Sequence, residues 1–486
     1  MSIFAGVDLG TSGIKVALID AEGTCRAQAS RPCEVDRPHP GWSQQDPDLW
    51  WQLTAAIFDE LSQSHTGLMS EVAGISLSGQ MLGSVLLDDS DNPVAPCLLW
   101  NDQRSLAECR TLLERVPDIG WRTNGQPDPG LTAPKLLWMA KHWPDAFDKA
   151  DILMLPKDYV RLRMTGARAS DFSDASGTMM LDCATSQWDN ALIEAADWHA
   201  SKLPELLPSF ADAGHLQSAL CTRWNMPGTV VVATGCGDNY AGALGVGAAL
   251  PGDAALSIGT SGVLSAVDDR FRPNPDHAVL TTPHAAPDTY LSMGVVMSAT
   301  QSLDWLASLT ATPAAELAAK AAERVAVHGP GNCPVARPSL TGVRTPDNRP
   351  DALAALSGIS AVSDKVDLAY AIMEGVAFQF YDAYLAQTRS GVPVERMTAV
   401  GGGAKSTLWV QLIATLMETD IVIPAHGDIS ACIGAAKLAQ SAVMPDQTTT
   451  ILRRKQPVAK TVRPNPDWHD ALRERHQRYR DLPFHG

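Results

Sequence analysis

The sequence predicts an α/β protein that folds as two related lobes. Strand-like runs, hairpins and amphipathic helices alternate along the chain, which is the pattern of the α/β class. The same hairpin turn, Gly-Thr-Ser-Gly, occurs at residues 10–13 and 259–262, about half of the 486-residue chain apart. A repeat of this length does not fit a solenoid and suits two lobes of similar structure.

The first half of the chain begins with a predicted three-stranded unit. β-Prone residues flank the first turn over 5–20, and a third strand is predicted at 24–29. Apolar residues at helical spacing predict a helix over 46–62, with Pro47 in the first turn, where proline is tolerated. A further strand is predicted at 72–77, so strand, hairpin and helix alternate here.

The second half repeats this organisation after a break at Pro251-Gly252. We therefore predict a boundary near residues 245–252 and two domains, residues 1–248 and 249–486. Many prolines and glycines predict a long loop over 329–350. Beyond the loop, the patterns predict a helix over 364–387, a strand over 398–400, a helix over 406–418 and a peripheral helix from residue 467 onward.

Composition and charge argue against several classes of protein. The chain carries 38 Lys and Arg against 54 Asp and Glu, a formal charge of −16, which disfavours nucleic acid as a partner. Nine cysteines are dispersed without a C-x-x-C pair, which favours reduced thiols over disulfides or a zinc site. Neither a signal peptide nor a membrane span is recognisable, so we expect a cytoplasmic protein with no membrane partner.

The two Gly-Thr-Ser-Gly turns are candidate phosphate sites. Backbone N–H groups in a tight turn form a concave anion site, and Thr and Ser hydroxyl groups add donors. One such turn is a weak signal, but two copies, one in each predicted lobe, indicate a nucleotide phosphate tail held between the lobes. The candidate nucleotide-binding residues are Gly10, Thr11 and Ser12 in the first turn and Gly259, Thr260 and Ser261 in the second.

Two charged residues flank the first turn. Asp8 comes just before it, and its carboxylate would repel phosphate unless a cation lay between them. Mg²⁺, often bound through water, is the natural mediator. Lys15 lies four residues after Thr11 on the returning strand, where its side chain could face the phosphates. A turn-capping role for Asp8 and a solvent-facing role for Lys15 remain the alternatives.

A third glycine-rich turn, residues 401–406, connects a predicted strand to a predicted helix. It is not a P-loop, because Ala404 separates Gly403 from the Lys-Ser pair. A glycine-rich turn that opens a helix can still let an adenine or a ribose lie against the backbone. The candidate residues are Gly402, Gly403, Ala404 and Ser406. A turn that needs glycine for packing alone is the alternative.

Asp238 is the candidate general base. It follows a predicted buried strand over 229–233 and stands among glycines beside the predicted lobe boundary. A carboxylate at a strand end beside a cleft is well placed to accept the proton of a hydroxyl group. Its position in the chain, more than its residue type, distinguishes Asp238 from an ordinary turn aspartate.

A fifth cluster combines apolar and polar groups in the way that a polyol site needs. The carbons of a polyol require an apolar face, and its hydroxyl groups require amide and guanidinium partners. Segments 80–83 and 99–104 offer this mixture, including Asp102 and Arg104. The candidate substrate-binding residues in these segments are Gln80, Met81, Leu82, Trp100 and Asn101.

Taken together, these motifs resemble the FGGY family of carbohydrate kinases. The resemblance rests on Val7-Asp8-Leu9-Gly10-Thr11-Ser12, on Gly237-Asp238-Asn239, on the second Gly-Thr-Ser turn and on Gly401-Gly402-Gly403-Ala404. More specific motifs extend it over nearly the whole chain and are most similar to the branch of the family that phosphorylates D-xylulose. They occupy residues 39–47, 78–81, 131–138, 155–159, 170–178, 341–346 and 374–378.

The resemblance implies a fold, a reaction and roles for residues. The fold is the two-lobed, actin-like and ribonuclease-H-like ATPase fold with a cleft between the lobes. The reaction is ATP-dependent phosphorylation of the terminal hydroxyl group of a ketopentose, with Mg²⁺. Asp238 matches the family's general base and is a second candidate metal ligand, and Asp8 matches the acid that helps to hold the metal–nucleotide complex. Met81, Leu82, Trp100 and Asn239 fall on the family's sugar-contact positions, so Asp238 and Asn239 join the candidate substrate-binding residues. Related enzymes are often dimers, so the resemblance also implies a homodimer.

Two residues depart from the family pattern. Leu82 stands where a histidine is usual, and leucine cannot donate a hydrogen bond to a sugar hydroxyl group. Tyr240 stands where a small residue is common and could reshape the same pocket. Another ketose or polyol, such as a ribulose, therefore remains an alternative substrate, and a non-catalytic actin-like ATPase is the alternative from another class.

Overall fold

A computed structural model describes residues 2–331 and 333–484. The first residue of the predicted N-terminal domain, Met1, lies outside these ranges. Over these residues, the chain forms two seven-stranded mixed sheets and several two-stranded ones. The first large sheet is built from residues before 240 and the second from residues after 250. The predicted two-lobed α/β architecture is therefore confirmed.

The first half contains fifteen strands and eleven helices. The strands are β1 Ile3–Leu9, β2 Gly13–Asp20, β3 Cys25–Pro32, β4 Gln44–Gln45, β5 Val72–Gly79, β6 Val85–Leu87, β7 Cys97–Leu98, β8 Ile152–Met154, β9 Ala169–Asp171, β10 Leu181–Asp182, β11 Gln187–Trp188, β12 Glu205–Leu207, β13 Asp212–His215, β14 Val231–Ala233 and β15 Cys236–Gly237. The helices are α1 Pro47–Ser64, α2 Thr66–Met69, α3 Leu106–Arg115, α4 Ile119–Arg122, α5 Thr132–His142, α6 Pro144–Lys149, α7 Pro156–Thr165, α8 Phe172–Ala175, α9 Asn190–Ala195, α10 Ser218–Arg223 and α11 Asp238–Gly245.

The second half contains the remaining nine strands and seven helices of the described chain. The strands are β16 Gly252–Ile258, β17 Gly262–Asp268, β18 Leu280–Pro283, β19 Tyr290–Val296, β20 Val335–Arg337, β21 Ala355–Ser357, β22 Val394–Val400, β23 Ile421–Pro424 and β24 Val458–Val462. The helices are α12 Thr300–Thr310, α13 Ala314–His328, α14 Lys365–Arg389, α15 Thr407–Met417, α16 Ser430–Val443, α17 Thr448–Leu452 and α18 His469–Arg480.

The two large sheets repeat one topology. In the first, the order is β13-β14-β5-β1-β2-β3, with β15 also paired to β5. In the second, the order is β18-β19-β17-β16-β22-β23-β24. Each sheet has an antiparallel hairpin, β1–β2 or β16–β17, whose first strand pairs in parallel with β5 or β22. The repeated Gly-Thr-Ser-Gly turn is thus the loop of corresponding hairpins.

The predicted domain boundary falls in the connection between α11 and β16. One helix from the second half of the chain nevertheless packs on the first lobe. Helix α16 comes late in the chain and packs on β1 and β5 of the first sheet and on α11. The helices α11 and α16 approach so closely that neither Gly245 nor Gly434 has room for a Cβ atom. This contact joins the first lobe to a segment of the second half of the chain.

Most of the predicted elements match observed ones to within a few residues, and the described residues of the connection over 329–350 contain one short strand, β20. The predicted peripheral C-terminal helix is present as α18, but one of its faces is buried against the second lobe. Its Arg475 is 5% exposed and pairs with the fully buried Glu374 of α14, with Nε–Oε1 and Nη2–Oε2 distances of 2.6 Å. The arginine-rich composition of the C-terminal segment predicts an exposed surface and gives no sign that Arg475 has a buried partner in Glu374.

We predict that Arg475→Met destabilises the second lobe by about 3–5 kcal/mol, because it leaves the Glu374 carboxylate buried without its partner. Arg473→Met is the matched control on the same helix, since Arg473 pairs with exposed Glu418 and such pairs contribute roughly 0–1 kcal/mol. Urea unfolding of both variants measures the difference. Equal stability of the two variants would contradict the structural role of the buried pair.

Candidate active site

The pairing of β5 with its neighbours brings the two candidate acids to one edge of the first sheet. In parallel register, Ser78 of β5 lies beside Asp8 of β1 on one side and beside Cys236 of β15 on the other. Asp238 follows β15 directly and is the first residue of α11. With neighbouring strands about 4.8 Å apart, the backbones that carry the two aspartates are separated by roughly two strand spacings.

Asp8 is mostly buried at the end of β1. Burial raises the pKa of its carboxyl group, while a hydrogen bond from Ser78 Oγ to Oδ1 at 3.2 Å and the charge of Lys15 oppose the rise. Lys15 lies directly opposite Asp8 in the β1–β2 ladder, and its Nζ donates to the carbonyl oxygen of Asp428 at 3.1 Å. Lys15 is thus tied to the segment that leads into α16.

Asp238 is partly exposed at the start of α11. Its Oδ1 accepts hydrogen bonds from the backbone N of Asn239 at 2.7 Å and from Asn239 Nδ2 at 3.2 Å. Burial, followed by the negative charge of Asp8, raises the pKa of Asp238 to about 7. A carboxyl group with this pKa exchanges its proton readily near neutral pH, as a general base must.

The peptide before Asp238 is tightly enclosed. A Cβ atom at Gly237 would lie 2.6 Å from Met81 Sδ and 3.1 Å from Tyr240 Cδ2, so only glycine fits. The sequence-predicted residue Met81 is therefore in contact with the backbone that carries Asp238. Asn239 is exposed next to it. The structure brings Met81, Asp238 and Asn239 together, as the site hypothesis requires.

The hydroxyl group of Thr11 belongs to the candidate sugar cluster in this structure. Thr11 Oγ1 donates to Gln80 Oε1 at 3.0 Å and accepts a hydrogen bond from Trp100 Nε1 at 3.0 Å. Buried Gln45 completes the network, since it accepts from Gln80 Nε2 at 2.8 Å and donates to the Thr11 carbonyl oxygen at 2.9 Å. The first turn therefore connects the candidate phosphate and sugar residues, while Ser12 is exposed.

Leu82 adopts a left-handed backbone conformation, with φ of 72°. Such a conformation is uncommon for leucine and persists only where its surroundings hold it. Here the Leu82 carbonyl oxygen accepts hydrogen bonds from Thr132 Oγ1 at 2.9 Å and from Lys135 Nζ at 3.0 Å, both on α5. Lys135 is fully buried, and burial lowers its pKa to about 8. Helix α5 thus fixes the loop that holds Met81 and Leu82.

Trp100 and Asn101 lie on a surface next to this loop. Trp100 is 45% exposed, which is unusual for a large aromatic side chain, and the buried Oδ1 of Asn101 has no hydrogen-bond partner among the described residues. The exposed indole ring of Trp100 is a surface that a ligand could cover, whereas the Oδ1 atom of Asn101 is already buried. The proposed role of Asp102 and Arg104 as polyol partners is wrong, because these two buried side chains bond to each other and Arg104 stacks on Trp42 at 3.7 Å.

The second turn is held by the start of α12. The backbone N atoms of Ala299 and Thr300 donate to the carbonyl oxygens of Thr260 and Gly259, both at 2.9 Å. The side chains of Thr260 and Ser261 remain exposed. The turn therefore keeps a fixed backbone and presents its hydroxyl groups to solvent, as a candidate anion site should.

The third glycine-rich turn packs against the second one. Gly401, at φ of 93°, lies against Ile258, the residue that directly precedes Gly259, and a Cβ at Gly401 would be 2.6 Å from the Ile258 carbonyl oxygen. Gly402 is exposed with open space above it, whereas Ala404 is buried. Ser406 caps α15 by accepting a hydrogen bond from the backbone N of Trp409 at 3.4 Å. The candidate adenosine and phosphate turns are thus adjacent.

Sequence reasoning missed Gln45, Ser78, Thr132 and Lys135 as parts of this region. Each lies in a segment that supported the family resemblance, but a single sequence gives no sign that these polar side chains are buried. Their burial, between 0 and 2% exposed, was the signal that only the structure supplies. Among the described residues, none of the nine cysteines forms a disulfide bond.

Comparison with known proteins identifies the class. The model of the N-terminal domain of the FGGY family of carbohydrate kinases matches residues 3–245, and that of the C-terminal domain matches residues 254–443. The chain therefore belongs to the FGGY family of carbohydrate kinases, an assignment that implies ATP as a substrate. A search of the described residues finds no helix long and apolar enough to cross a membrane.

Individual proteins are similar to the chain over nearly its whole length. The chain is 38% identical to xylulose kinase of Escherichia coli K12 over 99% of its own length and 98% of the relative's. It is also 38% identical to xylulose kinase of Klebsiella pneumoniae over 95% of each chain. Among solved structures, a "xyloylose kinase" from Brucella ovis superposes with a TM-score of 0.94 at 37% identity, covering 98% of each chain.

The anchoring of Leu82 gives a prediction for sugar binding. Thr132→Val removes one of the two donors to the Leu82 carbonyl oxygen, and losing such a hydrogen bond costs about 0.5–1.5 kcal/mol. We expect the KM for the sugar to rise roughly two- to tenfold while the KM for ATP stays unchanged. Thr132→Ser, which keeps the hydroxyl group, is the control in the same steady-state assay. An unchanged sugar KM in Thr132→Val would contradict the anchoring role.

Proposed function

We propose that this chain transfers the γ-phosphoryl group of ATP to the terminal hydroxyl group of D-xylulose, with Asp238 as general base. The observation that carries the proposal is Asp238 itself, a partly exposed carboxylate at the edge of the first sheet, in contact through Gly237 with Met81. The near-full-length similarity to xylulose kinases supports the choice of sugar.

In the proposed reaction, Asp238 positions the acceptor hydroxyl group and takes its proton late in the transfer. Asn239 donates two hydrogen bonds to Oδ1 of Asp238, which leaves Oδ2 for the substrate. Phosphoryl transfer depends mainly on positioning and on stabilising charge on the phosphate oxygens. The pKa of about 7 lets Asp238 accept a proton without a strongly basic side chain in the cleft.

The nucleotide would lie across the turns of both lobes. Backbone N–H groups and hydroxyl groups of Gly10, Ser12, Thr260 and Ser261 are the proposed phosphate partners. The open surface of Gly402 beside the second turn is the proposed binding surface for the adenosine. These partners are uncharged, which explains how a chain with a formal charge of −16 can bind ATP.

Mg²⁺ fits the donors available at this edge. Among the described residues, no three His, Cys, Asp or Glu side chains converge as a metal site, whereas Asp8 and Asp238 face the same region. Mg²⁺ is commonly held by one or two carboxylates, water and substrate phosphates. Asp8 would hold the ion through water, with Asp238 as a second candidate, and the ion would offset charge on the transferring phosphoryl group.

The sugar itself follows from the pocket and the relatives together. Gln80, Met81, Leu82, Trp100 and Asn101 are the proposed sugar partners, and of these Met81 contacts the Gly237 peptide that precedes Asp238. Leu82 offers no donor, so a hydroxyl group that a histidine would bind must find another partner. For this reason, ribulose-type ketoses and polyols belong in the experimental test beside D-xylulose.

The test is a coupled assay of ATP consumption across D-xylulose, D-ribulose, L-ribulose and a set of polyols. We expect D-xylulose to give the highest kcat/KM, and chelation of divalent cations by EDTA to abolish turnover. Asp238→Asn should lower kcat at least about a hundredfold, because a general base contributes roughly 10²–10⁴-fold, while ATP still binds.

Asp145→Asn, an exposed aspartate on α6, is the matched control and should keep full activity. Near-native turnover of Asp238→Asn would exclude Asp238 as the base. A higher kcat/KM for another sugar would replace D-xylulose but leave the kinase assignment intact.

The raised pKa of Asp238 predicts a pH dependence. Burial and the charge of Asp8 favour the protonated form, and a base works only when deprotonated, so activity is full above the pKa and lost as pH falls below it. With both substrates below their KM, kcat/KM should therefore fall about tenfold per pH unit below about pH 7. The measurement needs coupling enzymes in excess at every pH. A flat profile between pH 5.5 and 8 would contradict this assignment.

A further inference from the structure

Tyr240 forms a hydrogen bond between the two halves of the chain in the interior of the protein. Its hydroxyl oxygen lies 2.6 Å from Oγ1 of Thr282 on β18, and both residues are fully buried. Tyr240 belongs to α11 of the first half, whereas β18 is the edge strand of the second sheet. Helix α11 packs mainly on α16 and contacts strands of both sheets, and the bond adds a polar contact between this helix and the second sheet.

Tyr240 is also in direct contact with the proposed base segment. It is the third residue of α11, and Asp238 is the first. The ring packs on Gly237, where an added Cβ would lie 3.1 Å from Tyr240 Cδ2, opposite the sulfur atom of Met81. A shift of the tyrosine would therefore move the peptide that precedes Asp238.

From Thr282, continuous strand pairing leads to the second phosphate turn. Thr282 pairs with Leu291 in the β18–β19 ladder, and Val296 at the other end of β19 pairs with Gly262 at the start of β17. Gly262 closes the turn that contains Thr260 and Ser261. Hydrogen-bonded ladders are stiff, so the position of Thr282 is linked to the position of this turn.

A third hydroxyl group connects the same tyrosine to the sugar loop. Ser176 Oγ lies 3.5 Å from the Tyr240 hydroxyl oxygen and is fully buried. The next residue, Gly177, packs so closely on Leu82 that it has no room for a Cβ atom. Tyr240 therefore contacts elements that carry the proposed base, the second phosphate turn and the sugar loop.

We propose that Tyr240 is a positioning residue, whose hydroxyl group keeps the carboxylate of Asp238 at a fixed distance from the second phosphate turn. The proposal rests on the proposed function, since it concerns alignment of the acceptor hydroxyl group with the phosphoryl group. Alignment matters because a displacement of about 1 Å can cost about 10²-fold in rate. Tyr240 itself touches neither substrate in this role.

Tyr240→Phe tests the proposal, because it removes only the hydroxyl group and keeps the ring against Gly237. We expect kcat for ketose phosphorylation to fall about tenfold, with the KM for ATP and for ketose within about twofold of wild type. The Kd for ATP in the absence of ketose should stay unchanged, since Tyr240 touches no nucleotide in this role. Thr282→Val should reproduce these effects, and Thr282→Ser should restore wild-type kcat.

The double variant Tyr240→Phe, Thr282→Val should lose no more activity than Tyr240→Phe alone, because the bond between Tyr240 and Thr282 is already absent in that variant. Two other tyrosines are matched controls. Tyr370→Phe removes a buried hydroxyl group that donates to Glu374 at 2.8 Å within the second half, and Tyr290→Phe removes a donor to the Ala184 carbonyl oxygen at 3.1 Å. Neither residue contacts α11 through that bond, so both controls should keep kcat.

Three outcomes would overturn the proposal. They are an unchanged kcat in Tyr240→Phe, additive losses in the double variant, and an equal loss of kcat in Tyr370→Phe at the same folded fraction, measured by circular dichroism. Failure of the proposed function is a separate result, because then the wild-type protein phosphorylates no ketose. An active wild type with an unaffected Tyr240→Phe variant rejects only the positioning role.

Discussion

The parallel pairing of β5 with β1 on one side and β15 on the other is the constraint on which the site depends. It places Asp8 and Asp238 at the same edge of the first sheet, with Ser78 between them. Burial of the Asp238 carboxyl group, and after it the negative charge of Asp8, raises the pKa of Asp238. Both the proposed proton acceptance and the proposed attraction for a cation follow from this one arrangement of strands.

Close packing between helices α11 and α16 connects this edge of the first sheet to the second half of the chain. Helix α11, which begins with Asp238, lies against α16, and glycines at both contact points allow the backbones to touch. Because α16 comes from the second half of the chain, the base helix is held by both halves. The bond between Tyr240 and Thr282 adds a polar contact to this apolar junction, where a lost partner would leave a buried hydroxyl group unsatisfied.

Much of the fold could be predicted because its signals are local. Several elements can be recognised from the residues that form them. They are the two Gly-Thr-Ser-Gly hairpins, the helix of residues 365–389 and the strand before Asp238. Contacts between distant segments could not be predicted. Arg104 has the chemistry of a sugar ligand, but its guanidinium group pairs with Asp102 and stacks on Trp42. Arg475 lies in a segment with the composition of a surface, but it neutralises buried Glu374. In each case, a partner far along the chain contributes to the role, Trp42 for Arg104 and Glu374 for Arg475.

The sequence by itself determined the two-lobed α/β class, the family and the residue types at each turn, because glycine, hydroxyl and carboxylate groups carry their chemistry wherever they are placed. Only the tertiary structure decided which of these groups meet. Thr11 joins Gln80 and Trp100, Lys135 holds Leu82, and Tyr240 reaches Thr282, through contacts that span from 42 to 89 positions of the chain. Burial and hydrogen-bond partners depend on such contacts, and no local pattern in one sequence encodes them.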